Sequence, residues 1–365
     1  MLVNKQTIQA AFVAMKTLFN NAFTATPSNW EKIAMRVPST TGSNLYAWLS
    51  AFPKMRRWVG EKHIKNLKAF SYTVENEDWE ATVEVDRNHI EDDQLGIYAP
   101  QAQMAGYSAK QLPDEIVYEL VNGAFSNACY DGKPFFDVEH PVAEGVASNK
   151  GTAALSAASQ AAAQAGYGAA RTAMRTFKDE DGRPLGVRPN VLLVGAALED
   201  TARALLTNER LEDGKTNLYK GTAELVVDER IESDSAWFLL DTSKPVKPFI
   251  YQERKAPEFV QQTDPEADDV FNRKKYKFGA EARAAGGYGF WQLAYGSTGE
   301  QTGKSRGVRD ETDNSVPPSA KTRTSSATPK NQTATAAVAS TSADKPETAA
   351  SSESGKPSSN ERKAR

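Results

Sequence analysis

Two runs in the first third of the chain alternate apolar and polar residues, Leu67 to Val74 and Trp79 to Val85, with Glu75-Asn76-Glu77-Asp78 between them. A period of two marks a half-buried strand, and a four-residue polar break between two such runs predicts one β-hairpin. Phe70, Tyr72 and Val74 share a face of the first run, as Trp79, Ala81, Val83 and Val85 do of the second. A two-stranded ribbon is marginal alone in water, so this aromatic face needs a surface outside its own ribbon, on the same chain or on a neighbour.

Ahead of the hairpin the period lengthens. Ile8, Phe12, Met15, Leu18, Phe19 and Phe23 recur every three or four residues and predict an amphipathic helix ended by Thr26-Pro27, either a core helix or an arm docking on another subunit. Residues 37 to 66 hold aromatic segments broken by Pro38 and Pro53. Behind the hairpin, Asn88 is placed to cap a helix with Glu91 as its third residue and Asp92 and Asp93 in the first turn, where the helix dipole favours negative charge. The pattern predicts a kink at Pro100 and a second start at Pro113-Asp114-Glu115. An apolar stripe of Ile116, Val117, Leu120, Val121, Ala124 and Phe125 follows, ending at Asp131-Gly132.

Ala153 to Phe177, rich in Ala and Gln, reads as a helix that packs closely or breaks once at Gly166 and Gly168. Val191 to Val194 is a buried-type strand, leading through Gly195 into a helix with Leu198, Ala202, Leu205 and Leu206. Strands are also predicted at 224–227, 236–240, 248–252 and 275–284. The fold class is α+β, without the βαβ repetition of a doubly wound sheet.

Composition changes this picture at one end. After Tyr295 there is no Phe, Tyr or Trp, and Val308, Val316 and Val338 are the only aliphatics larger than Ala. Such a stretch cannot bury enough apolar area to offset its ordering entropy, so residues 297–365 are expected to form a disordered tail. From Ser297 the tail holds 11 Lys+Arg and 8 Asp+Glu of the chain's 44 and 47, which leaves a body near -6 and a tail near +3. A body of that sign is a poor duplex-binding surface. A single cysteine, Cys129, fits a reducing compartment. No apolar run has transmembrane length and the amino terminus lacks a signal-peptide pattern, so no membrane association and folding in cytoplasm are expected.

Candidate chemistry is sparse. Cys129, Asp137 and His140 lie within a dozen residues and offer a thiol, a carboxylate and an imidazole, the parts of a cysteine hydrolase, or else an inert thiol packed at a helix end. Asp131, Asp137, Glu139 and His140 offer cation ligands or a solvated acidic loop, without the spacing or the set glycine of a Ca²⁺ loop. Gly166-Tyr167-Gly168 lacks the third glycine of a dinucleotide fingerprint. His63, His89 and His140 are the only histidines, too few for a zinc or general-base constellation. The cluster Gly286 to Trp291 offers base stacking or, more simply, a tight bend carrying core aromatics. No cofactor, metal or catalytic residue is assigned.

Four ordered strings add a resemblance. Ile90-Glu91-Asp92-Asp93-Gln94, the run Cys129 to Asp137, Pro189-Asn190-Val191-Leu192-Leu193-Val194 with Leu198-Glu199, and the run Gly287 to Gly296 together resemble the major head subunit of Mu-like phages and prophages, the gpT family, whose fold is the HK97-type capsid fold. The resemblance covers residues 1 to 296. It implies a structural, non-enzymatic role: hexamers and pentamers of one chain closing an icosahedral head around double-stranded DNA. It further implies an N-terminal arm and start of a peripheral domain at 1–66, an extended hairpin loop at 67–87 and a spine helix at 88–132. An axial domain at 133–250 and a return to the peripheral domain at 251–296 complete the body. Phe70, Tyr72, Val74, Trp79, Ala81, Val83 and Val85 would then be buried only on assembly, against an adjacent subunit. A separate scaffold protein, a portal and a decoration protein are the implied partners. Some such shells join subunits through a lysine on the extended loop; the turn Glu75 to Asp78 has no lysine, which argues against that cross-link. An encapsulin-like compartment, which shares the fold but encloses cargo enzymes, is the alternative shell.

Overall fold

A computed structural model describes residues 5–50, 72–92, 95–142, 145–179, 182–264 and 267–300. Up to Gly307 the chain forms one unit, built on two sheets that share a single large hydrophobic core.

The first sheet has four strands in the order β1 (Ala34–Pro38), β11 (Phe249–Gln262), β12 (Lys275–Tyr288), β4 (Glu77–Asp86). Its long antiparallel pair, β11 and β12, runs from Phe249 opposite Tyr288 to Gln262 opposite Lys277. Helices α1 (Lys5–Ala25) and α3 (Ala99–Gly123) pack against each other and against this sheet. Ile8, Phe12, Met15 and Phe19 are buried as their spacing predicts. Phe12 meets the Tyr276 and Phe278 rings edge-on at 6.3 and 6.1 Å, so α1 is a core helix of its own chain rather than an extended arm. The helices come close because α3 presents Ala102, Ala105, Gly106 and Ala109 as buried positions. A Cβ on Gly106 would lie 2.3 Å from the Phe19 carbonyl oxygen.

The long helix departs from expectation at both ends. Asp86, not Asn88, caps the short helix α2 (Arg87–Glu91), its side chain accepting from the Asn88 N–H. α3 is separate and starts at Ala99, so Pro100 sits in its first turn instead of kinking it. Pro113 lies inside α3, which ends at Gly123, short of the predicted Asp131. A proline there removes a backbone bond. Around it Leu112, Ile116 and Val117 are buried in the core, and tertiary packing carries the helix through. Next in sequence, the 1%-exposed Asp114 accepts from the Asn29 and Trp30 N–H groups and the Ser28 hydroxyl at 3.0, 2.9 and 2.6 Å, fixing the turn after α1.

The second sheet has five strands in the order β7 (Lys150–Gly151), β13 (Ala294–Ser297), β10 (Trp237–Leu240), β8 (Val191–Val194), β9 (Glu224–Val227). β8 and β10 are buried at all four positions. Around the sheet lie α4 (Gln160–Ala163), α5 (Ala169–Thr176) and α6 (Glu199–Thr207). Gln164–Gly168 forms the predicted irregularity, a π-helical turn between α4 and α5. β13 corrects the expected division: residues 275–288 return to the first sheet, but 294–297 lie between β10 and β7 in the second. Ser297 is therefore the fully buried end of a strand, its hydroxyl donating to the Ala153 carbonyl, and not the first tail residue. Residues 301–365, the rest of the expected tail, lie outside the described residues. The remaining elements are the pairs β2 (Ser43–Leu45) with β3 (Thr73–Glu75) and β5 (His140–Val142) with β6 (Gly145–Ala147), and the helix α7 (Asp268–Arg273).

Candidate functional site

The predicted hairpin does not form. β4 pairs with β12, Trp79 opposite Ala282 and Val85 opposite Tyr276, while β3 pairs with β2, Leu45 opposite Thr73 and Ser43 opposite Glu75. Asn76, the single residue between β3 and β4, is thus a crossing from one sheet to another. Alternation identifies a strand but not its partner, and the partner of β4 lies nearly two hundred residues away.

The β2–β3 pair closes the root of a different excursion, residues 46 to 72, of which 51–71 lie outside the described residues. The Tyr46 N–H bonds the Tyr72 carbonyl at 2.8 Å, and the Asn76 N–H bonds the Gly42 carbonyl at 2.9 Å. Gln252 of β11, fully buried, fastens this root: its amide donates to the Val74 carbonyl at 3.2 Å and to Asn76 Oδ1 at 2.8 Å, and its oxygen accepts from the Tyr46 hydroxyl at 2.8 Å. The Tyr72 hydroxyl accepts from the Tyr288 N–H at 2.9 Å, and burial pushes its pKa up to about 12. The four lysines of this segment, Lys54, Lys62, Lys65 and Lys68, all lie outside the described residues.

The seven residues assigned to an inter-subunit face are placed differently from that expectation. Phe70 lies outside the described residues. Val74 and Val85 are buried, at 7% and 0% exposure, inside their own chain. Tyr72, Trp79, Ala81 and Val83 are half-buried there; Trp79 Nε1 donates to the Ala284 carbonyl at 3.1 Å, and Val83 packs beside Val85, Phe12 and Phe278. Trp79, Ala81, Val83 and Val85 do share a face, but the chain's own core covers it.

The candidate chemical cluster also rearranges. Asp131, not Asp137, lies between the thiol and the imidazole: Cys129 Sγ donates to Asp131 Oδ1 at 3.1 Å, and His140 Nδ1 meets Asp131 Oδ2 at 2.7 Å. The Asp137 carboxylate accepts from the Glu139 N–H, and Glu139 pairs with Lys133 at 3.4 Å. Asn149 donates its amide to the Phe135 and Trp291 carbonyls and takes the Asp137 N–H on Oδ1, so Oδ1 is the atom facing His140 Nε2 at 3.1 Å. Both ring nitrogens of the buried His140 therefore face oxygen atoms, and the ring stacks on Trp291 at 4.1 Å.

The ligand atoms of Cys129, Asp131 and His140 lie within 4.8 Å of one another, near enough for a metal. Hydrogen bonds already engage each of them, which suits a fastening. Burial and the Asp131 charge push the Cys129 thiol up, and a carboxylate separates it from the imidazole. A cysteine nucleophile needs the opposite on both counts, a lowered pKa and a base in contact. The Cys129/His140 hydrolase reading fails on this geometry.

Comparison with known proteins gives the scaffold a context. The chain matches the Mu-like prophage major head subunit gpT family over residues 8–163, 153–231 and 228–306. It is 33% identical over 302 residues to the major capsid protein of Escherichia phage Mu, covering 83% of this chain and 77% of that one. With the Mu-like prophage FluMu major head subunit of Haemophilus influenzae it shares 30% over 300 residues, 82% of this chain and 76% of the relative. Among solved structures, a subunit of the procapsid of bacteriophage JBD30 superposes with a TM-score of 0.51 at 32% identity, covering 82% of this chain and 77% of that chain. The JBD30 capsid gives 0.51 at 29% identity, covering 59% and 94%. The fold is HK97-like, and the chain belongs to the Mu-like major head subunit family, as a structural component of a phage capsid.

Proposed function

We propose that this chain self-assembles as hexamers and pentamers into the icosahedral head of a Mu-like tailed phage, enclosing double-stranded DNA, with assembly in the host cytoplasm. The observation that carries the reading is the family match, which runs from residue 8 to residue 306, across the whole folded body. Residues 46–72 take the part of the extended loop, leaving the body at one paired root and available to overlap a neighbouring subunit. The net-negative body agrees with a shell that holds DNA without gripping phosphate over its inner face. A separate scaffold and a portal are the expected partners, with a decoration protein as in the JBD30 capsid, which is decorated with minor capsid protein trimers.

The test replaces residues 51–71 by a short Gly/Ser linker in the full chain. The variant should remain a folded, soluble subunit and form no closed shells in negative-stain microscopy, whereas the parent chain, co-expressed with the neighbouring head genes, forms them. Normal shells from the linker variant would overturn the loop assignment. Nuclease-resistant DNA inside the particles separates a phage head from an encapsulin-like compartment, which would contain a cargo protein instead.

A further inference from the structure

Residues 28–33 join α1 to β1, and more of the body grips this short strap than a connection needs. Asp114 of α3 accepts from Ser28, Asn29 and Trp30. The Asn29 side chain reaches further. Its Oδ1 accepts from the Tyr118 hydroxyl of α3 at 2.6 Å, and its Nδ2 donates to Asp228 Oδ2, in the loop that leaves β9, at 3.1 Å. Trp30 packs against Tyr251 of β11 with ring centroids 4.8 Å apart, and the Arg36 guanidinium lies over its ring. The Lys247 ammonium donates to the Glu31 carbonyl, and Lys32 pairs with Glu224 of β9 at 2.7 Å. The strap thus touches α3, a strand of the four-stranded sheet and the edge strand of the five-stranded sheet at once.

At its centre are two buried carboxylates, Asp114 and Asp228, and one cation, Arg230. Arg230 Nη1 meets both Asp228 oxygens, at 2.9 and 3.0 Å, and its guanidinium lies 5.8 Å from the Tyr118 ring centroid. Asn122 of α3 extends the network, donating to the Arg230 carbonyl and accepting from the Glu232 N–H. Elsewhere the two sheets share an apolar core. Apolar contact is non-directional, so it holds the sheets together without selecting one angle between them. Hydrogen bonds are directional and do select one. Moving Asn29 away takes a partner from the Tyr118 hydroxyl and from the Asp228 carboxylate together, both buried. A buried charged network adds little net stability over apolar packing, and its best-attested use is to specify one arrangement.

We infer that residues 28–33, centred on the Asn29 side chain, form a clasp that fixes the angle between the two sheets and with it the angle at which subunits meet in a shell. The second half of that statement rests on the head-subunit reading; the clasp itself does not. Asn29, Tyr118 and Asp228 are positioning residues. A closed shell of one diameter needs the same subunit shape in every copy, and the clasp supplies it where the core alone leaves it loose.

The test uses the full chain. Asn29→Asp keeps the side chain's size but sets a third carboxylate beside Asp114 and Asp228, whereas N29D/D228N exchanges the two groups and restores the charge count. In the isolated subunit, N29D should speed amide exchange over residues 28–33 and 228–232 by about tenfold or more, with β8 and β10 unchanged, and N29D/D228N should recover most of the protection. Co-expressed with the neighbouring head genes, N29D should give particles of scattered diameter or unclosed arrays, and N29D/D228N should give particles of the parent's diameter. Lys32→Glu opposes an exposed pair, so it decides the matter should N29D not fold. It should scatter diameters less than N29D and most at low salt, and K32E/E224K should reverse the scatter. Parent-like exchange in N29D, parent-diameter particles from both N29D and K32E, or a scatter that neither exchanged pair reverses would overturn the clasp. If the parent chain forms no particles, the head-subunit reading falls, and amide exchange in the subunit still decides the clasp.

Discussion

In the five-stranded sheet, β8 and β10 are buried at every position, whereas β4 in the four-stranded sheet buries alternate residues and turns a row of carboxylates to solvent. The first arrangement is closed: Trp237, Phe238, Leu239 and Leu240 meet side chains on both faces, and the Trp237 indole donates to the Ala153 carbonyl at 2.9 Å. The second is covered on one face by α1 and α3, and among the described residues it leaves a charged face and β4 at its edge. The contrast teaches that exposure on the outward face of β4 is charged rather than apolar.

The contrast can be broken at its strongest point first. Trp237→Ala empties a fully buried site in the closed sheet and should cost about 3–5 kcal/mol in denaturant unfolding; a cost near zero would mean that sheet is not the rigid half. Gly106→Leu tests the covered face of the other sheet, because its first side-chain atom already collides with the Phe19 carbonyl. It should cost about 1–3 kcal/mol and loosen α1, seen as faster amide exchange over residues 8–19 with β8 and β10 unchanged.

Asp131 sharpens the comparison through pH. Burial raises its pKa, but hydrogen bonds from His140 and Cys129, the His140 charge and the Lys133 N–H outweigh this and hold the carboxyl below its ordinary range. Its contribution is therefore complete above the ordinary carboxylate pKa and lost as pH falls through the lowered one. Asp131→Asn should cost about 1.5–3 kcal/mol near neutral pH and flatten the acid limb of the stability profile; an unchanged acid limb would remove Asp131 from the fastening. The smallest effect is expected for Asp86→Ala, which deletes the cap of α2 and should cost about 1 kcal/mol by thermal unfolding.

Legibility in the sequence followed the same division. Val191–Val194 is found where its apolar run predicts, because a strand buried on both faces announces itself without reference to its partner. Alternation in Trp79 to Val85 identified the strand and its inward face, yet a local turn was the wrong partner, since pairing with Lys275–Tyr288 leaves no local trace. Pro113 carried a true helix-start signal that packing of Leu112 and Ile116 overrode. His140 reads in the sequence as a surface or loop histidine beside Asp137, yet it is fully buried against Asp131; the choice between the two carboxylates depends on how the loop folds back, and both lie close to it in sequence. The carboxylates Glu80, Glu258 and Glu281 become neighbours only through strand register, which leaves no local trace in the sequence.

The place of β13 has a consequence for the timing of synthesis. Ala294–Ser297 lies inside the five-stranded sheet, between β10 and β7, so that sheet cannot close until almost the whole body has been translated.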